Sequence, residues 1–102
     1  MKKIINNKLY NTDTAKEITA YDNGYSGRDF KAVHEILFKK KTGEYFIYGW
    51  GGPMSKYAKS VGCNSWSGSE DITPLTVDEA KAWMEAYASA DDYIAEFGDI
   101  EE

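Results

Sequence analysis

The sequence predicts an α+β domain, a small antiparallel sheet centred on one hairpin with two C-terminal helices packed on one face. Three observations predict it. Residues 33–40 and 44–50 are rich in β-branched and aromatic side chains, and Lys41-Thr42-Gly43 between them offers a glycine for a left-handed position. Val77, Ala80, Trp83 or Met84, Tyr87 and Ala88 recur at helical spacing behind the capping-box residues Thr76 and Glu79. Finally, 102 residues with 42% hydrophobic and 15% aromatic content suffice for one packed core and one domain, residues 1–102, despite 28% charged residues.

Taken in order, Lys2 to Ile5 reads as a short strand, Asn6-Asn7-Lys8 as a turn, and Leu9-Tyr10 as resumed extended chain. Asn11 to Ile18 reads as a short N-terminal helix, with Asn11 or Thr12 as N-cap, Asp13 in the first turn, and Ala15 and Ile18 inward. Residues 21–30, YDNGYSGRDF, have a loop composition that would display Tyr21 and Tyr25. In the hairpin, a three-residue loop that sets Lys40 against Glu44 pairs Phe38 with Phe46, Ile36 with Tyr48 and His34 with Trp50 on one face. On the other face it pairs Lys39 with Tyr45, Leu37 with Ile47 and Glu35 with Gly49. After Pro53 the chain reads as irregular, with one helical turn at Ser55 to Lys59 and a short strand at Asp71 to Thr73. The first C-terminal helix follows Thr76. A second opens on Asp91-Asp92, turns Tyr93, Ile94 and Phe97 inward, and stops at Gly98, beyond which the tail is expected to fray.

Few residues invite catalysis. Cys63 and His34 are the sole cysteine and histidine; Cys63 lacks a local activating signature and His34 falls inside a strand, so no catalytic pair is expected. No CxxC, HxxxH or calcium-loop spacing occurs, and neither metal nor cofactor is expected. The stretch GWGGPMSKY has the glycines of a phosphate cradle but not the order: Pro53 follows them and Lys56 precedes Tyr57 rather than Ser or Thr. It reads as the end of a strand. No apolar run approaches the roughly 20 residues that cross a bilayer, and the N-terminus lacks a signal-peptide pattern, so a cytoplasmic chain without a membrane partner is expected.

Charge is the most informative feature. Residues 1–75 hold eleven Lys and Arg against eight Asp and Glu, whereas residues 76–102 set Lys81 alone against nine acids. An acidic segment of that kind attracts basic surfaces and repels nucleic acid. Arg28, Lys31, Lys39, Lys40 and Lys41, with Tyr45, Tyr48 or Trp50 as stacking platforms, form an alternative nucleic-acid-binding set. The net charge of −5 weighs against it.

The stretches KKIINNKLYNTDTAKEI, KKKTGEYFIYGWGGPMSKYA, NSWSGSEDITPLT and DEAKAWMEAYASADDYIAEFGDIEE cover nearly the whole chain. In them the sequence resembles a family of small proteins from phages and other mobile elements of Gram-positive bacteria, which includes anti-CRISPR inhibitors of the type II effector nuclease. The resemblance implies an inhibitor rather than an enzyme, acting in the bacterial cytoplasm on a partner with basic channels for guide RNA and target DNA. Glu79, Glu85, Asp91, Asp92 and Glu96 are then the candidate contacts to basic surface, with Tyr21, Tyr25 and Trp66 as anchors. Both a monomer and a homodimer suit the sequence, and a mobile-element regulator that binds nucleic acid is the alternative function.

Overall fold

The computed structural model describes residues 1–25, 30–62 and 65–98, the side chain of Ser65 excepted. Arg28, Cys63 and the C-terminal tail, for which the sequence raised expectations, lie outside the described residues. Among the described residues eight strands precede two helices: β1 Lys2–Ile5, β2 Lys8–Asn11, β3 Lys16–Asp22, β4 Val33–Lys39, β5 Tyr45–Gly51, β6 Lys59–Gly62, β7 Ser65–Ser67, β8 Ser69–Leu75, α1 Val77–Tyr87 and α2 Ala90–Phe97. The central antiparallel sheet runs β3-β4-β5-β8, and β1-β2 and β6-β7 form two-stranded hairpins.

The β4-β5 register is the expected one, with His34 opposite Trp50, Glu35 opposite Gly49 and Phe38 opposite Phe46. Lys40 N–H donates to the Glu44 carbonyl at 2.7 Å, and Gly43 takes φ +94°, where a β-carbon would be strained. Asn6 and Asn7 have φ of 50° and 67°, the left-handed pair that closes a two-residue hairpin between β1 and β2.

The N-terminal helix expected over residues 11–18 is not formed. Asn11 ends β2, residues 12–15 make a turn, and Lys16 starts β3. The capping chemistry is present but closes only that turn: the Asn11 side-chain oxygen accepts from Asp13 N–H at 3.0 Å, and its carbonyl accepts from Ala15 at 3.1 Å. Eight residues are too few to nucleate a helix unaided, and Lys16 to Asp22 gain more by pairing with β4. A bulge between Glu17 and Thr19 reverses the side-chain alternation, which turns Tyr21 to the same face as Glu35. Two smaller expectations also change. The helical turn at 55–59 is a β-turn closed by Ala58 N–H to the Ser55 carbonyl at 3.0 Å, and the strand expected at 71–73 spans Ser69–Leu75. Pro74 is tolerated there because β8 is an edge strand.

Two cores follow from the two faces of the sheet. On one face Leu37, Tyr45 and Ile47 meet Ala80, Trp83 and Met84 of α1, flanked by Tyr93 and Phe97 of α2. On the other, Phe38 and Phe46 stack at 5.2 Å and Tyr10 of β2 stands edge-on to Phe46 at 5.5 Å. Lys8 to Glu44 (2.9 Å) and Lys3 to Asp71 (2.5 Å) clamp the β1-β2 hairpin over this second core. Each fully buried large side chain, such as Leu37, Phe46 or Met84, contributes about 1.5–3 kcal/mol.

Candidate interaction surfaces

Glu35 is the buried charge of the helix-side core, at 2% exposure. Three donors reach its carboxylate: Tyr57 Oη at 2.5 Å, Lys56 Nζ at 2.8 Å and Trp83 Nε1 at 3.2 Å. The GWGGPMSKY stretch builds this knot. Gly49, opposite Glu35, leaves a hole that the phenol end of Tyr57 fills, and a β-carbon at Gly49 would collide with the Tyr57 hydroxyl and the ring carbon that bears it. Ser55 Oγ donates to the Gly52 carbonyl at 2.7 Å and accepts from Tyr57 N–H at 3.1 Å, which folds the loop back onto the sheet. Burial raises the Glu35 carboxyl pKa, but the bonds from Lys56, Tyr57 and Trp83 together outweigh it and leave it below the ordinary value. Burial and the Glu35 charge push the Tyr57 phenol up. Lys56 caps the knot from solvent, at the mouth of a cleft of about 480 Å³ bordered by Asp71, Thr73, Glu79 and Trp83.

Sequence reasoning placed Glu35 opposite Gly49 but missed this network. An acid opposite a glycine inside an apolar strand was the available signal. What it could not supply was the partner, because Tyr57 lies 22 residues and Trp83 48 residues away in sequence.

The helical acids divide into two kinds. Glu85, Asp91 and Asp92 are exposed and make no ion pair among the described residues, and the same holds for Asp78, two turns before Glu85 on the same side of α1. Glu79 is exposed but employed, its carboxylate accepting from Thr76 N–H at 2.9 Å while Thr76 Oγ1 accepts from Glu79 N–H at 3.1 Å. Glu96 is turned inward. It accepts from Tyr45 Oη at 2.5 Å and pairs with Lys39 at 3.2 Å, fastening α2 to the sheet. A groove of about 340 Å³ between α1 and α2, lined by Met84, Ala88, Tyr93 and Ile94, has Glu85 at its edge.

The aromatic candidates are likewise separated. Trp66 on β7 is 60% exposed and Tyr25 46%, whereas Tyr21 stacks on Tyr87 at 3.9 Å and is half-buried. Of the basic set and its platforms, Lys39 and Tyr45 are brought together, Lys39 Nζ lying 5.6 Å from the Tyr45 ring centre with both groups on Glu96. Lys39 is held by Glu96, Lys40 pairs with Glu44 at 3.3 Å and lies 4.3 Å over the Tyr10 ring, and Lys41 is exposed at the loop. Trp50 stands at the far end of β5, about 20 Å along the strand, and Tyr45 faces the helices. Lys31 is exposed beyond β3 and carries an interaction of its own. His34 stacks on Trp50 at 5.1 Å. Among the described residues, no helix is long and apolar enough to cross a membrane.

No family model, curated protein or solved structure matches the chain.

Proposed function

We propose that this domain is a stoichiometric inhibitor that sets its acidic helical face on a basic channel of a type II CRISPR effector nuclease and blocks loading of guide RNA or target DNA. The observation that carries this reading is the set of exposed, unpaired carboxylates Asp78, Glu85, Asp91 and Asp92 on two adjoining helices whose one cation is Lys81. Carboxylates held on rigid helices can stand in for phosphates in a channel built for a polyanion. The resemblance noted above supplies the partner's identity. Commitment of Lys39 and Lys40 to Glu96 and Glu44 disfavours the alternative, direct nucleic-acid binding.

A pull-down with purified type II nuclease, with and without guide RNA, tests the reading. Binding at low salt is the expected result, competed away by guide RNA where guide loading is blocked and retained with it where target loading is, and no binding at low salt in either arm overturns the reading. A mobility shift of single-stranded or duplex probes without nuclease, abolished by K39E/K40E/K41E, would replace it with the nucleic-acid reading.

A further inference from the structure

The helix-free face of the sheet has a covered end and an open one. The β1-β2 hairpin covers Phe38 and Phe46, whereas the other end carries one cross-strand row, Asp22, His34, Trp50 and Glu70, contributed by β3, β4, β5 and β8 in turn. Residues opposite one another across adjacent strands share a face with side chains in contact. His34 and Trp50 lie nearly parallel, at 12° with centroids 5.1 Å apart, so one face of the indole is taken by the imidazole. On the side of Trp50 away from β4 the neighbouring strand is β8, where Glu70 stands opposite it.

Glu70 is held in place. Tyr48 Oη donates to its Oε2 at 2.5 Å, and the Tyr48 ring leans on Trp50 at 5.3 Å. Glu70 makes no ion pair among the described residues and is exposed, leaving Oε1 for another donor. Tyr48, Trp50, Gly51, Ser69 and Glu70 line a shallow depression of about 490 Å³. At the far end of the row Asp22, also without an ion pair, adds a second negative charge about 14 Å from Glu70.

An indole face beside an oriented carboxylate suits a planar cation that both stacks and donates. We propose that this depression seats an arginine side chain of a protein partner, its guanidinium stacked on Trp50 and bonded to Glu70. A nucleic-acid base would also stack on Trp50, but its phosphates would meet Glu70 and Asp22, so charge selects the guanidinium. The seat rests on the inhibitor reading only for which protein carries the arginine. It lies on the sheet face opposite the helices, so a basic partner engaged at both would have to reach around the edge strand β8.

The test uses an arginine-glycine repeat peptide and the full chain, without nuclease, so it succeeds or fails apart from the inhibitor reading. Indole and imidazole NMR resonances of Trp50 and His34 are followed during titration. The expected result is a saturable shift at both, with peptide affinity reduced about tenfold in Trp50→Ala and in Glu70→Gln. Glu70→Gln keeps size and a hydrogen-bond acceptor, so its circular dichroism and melting serve as the folding control. Equal binding of a lysine-glycine peptide, affinity indifferent to Trp50 and Glu70, or Trp50 shifts produced by oligothymidine each overturn the proposal. Shifts that depend on protein concentration alone would assign the depression to a second copy of the chain, and would overturn it too.

Discussion

At Gly49 the missing side chain admits the Tyr57 ring, and through it the buried Glu35 finds a donor. Gly49→Ala should expel the ring and leave the carboxylate short of a partner, lowering stability by about 3 kcal/mol in urea denaturation. An unchanged midpoint would show that the loop yields without cost. Glu35→Ala should cost about 3–5 kcal/mol, because the Tyr57 hydroxyl, the Trp83 indole and Lys56 all lose their acceptor. The charged residues also predict a pH profile. The carboxyls of Glu35, Glu44 and Asp71 lie below their ordinary values, Glu44 at about 2 chiefly through the Lys8 hydrogen bond. A lowered folded pKa stabilises fully above the ordinary value of 4.5 for Glu and is lost as pH falls through the lowered one. Tyr48 is raised to about 12 by its bond to Glu70 and then by burial, and burial followed by Glu96 or Glu35 raises Tyr45 and Tyr57. Their contribution is complete below the ordinary 10.0 and lost as pH rises through the raised values. Urea midpoints should therefore form a plateau between about 4.5 and 10 and decline on both sides.

Among the elements, α1 begins where Thr76 and Glu79 exchange hydrogen bonds, an arrangement contained in four consecutive residues. Thr76→Ala should cost about 1 kcal/mol, read from the thermal midpoint, and Thr76→Ser should recover most of it. The hairpin was equally legible, since loop length and a glycine settle register locally. Residues 11–18 were not. Their N-cap signals are those of a helix start, and what made them turn and strand was an unpaired edge on β4, which local letters do not reveal. The β6-β7 hairpin, inside the stretch after Pro53 that reads as irregular, likewise pairs, with Ser60 opposite Trp66.

Across the whole molecule charge is sorted by depth as well as by sequence. The excess of acids after residue 75 was plain from counting, but counting could not separate Glu96, spent on Tyr45 and Lys39, from Asp91 and Asp92 in solvent. If the exposed acids make the inhibitory contact, E85K/D91K/D92K should weaken nuclease binding at least tenfold while leaving the melting temperature near that of the parent. Raising salt from 0.05 to 0.5 M should have a similar effect, since exposed pairs are screened within about 10 Å at 0.1 M. Binding that ignores both changes would place the contact elsewhere. By itself, the order of residues determined what depends on neighbours along the chain: the hairpin register, the caps, the amphipathic stripe and the acidic C-terminal third. Only the tertiary structure decided which face each strand residue serves, that Tyr57 and Trp83 converge on Glu35, and that Trp50 and Glu70 share an open row. Burial and cross-strand contact join residues tens of positions apart, and no short-range pattern encodes such partners.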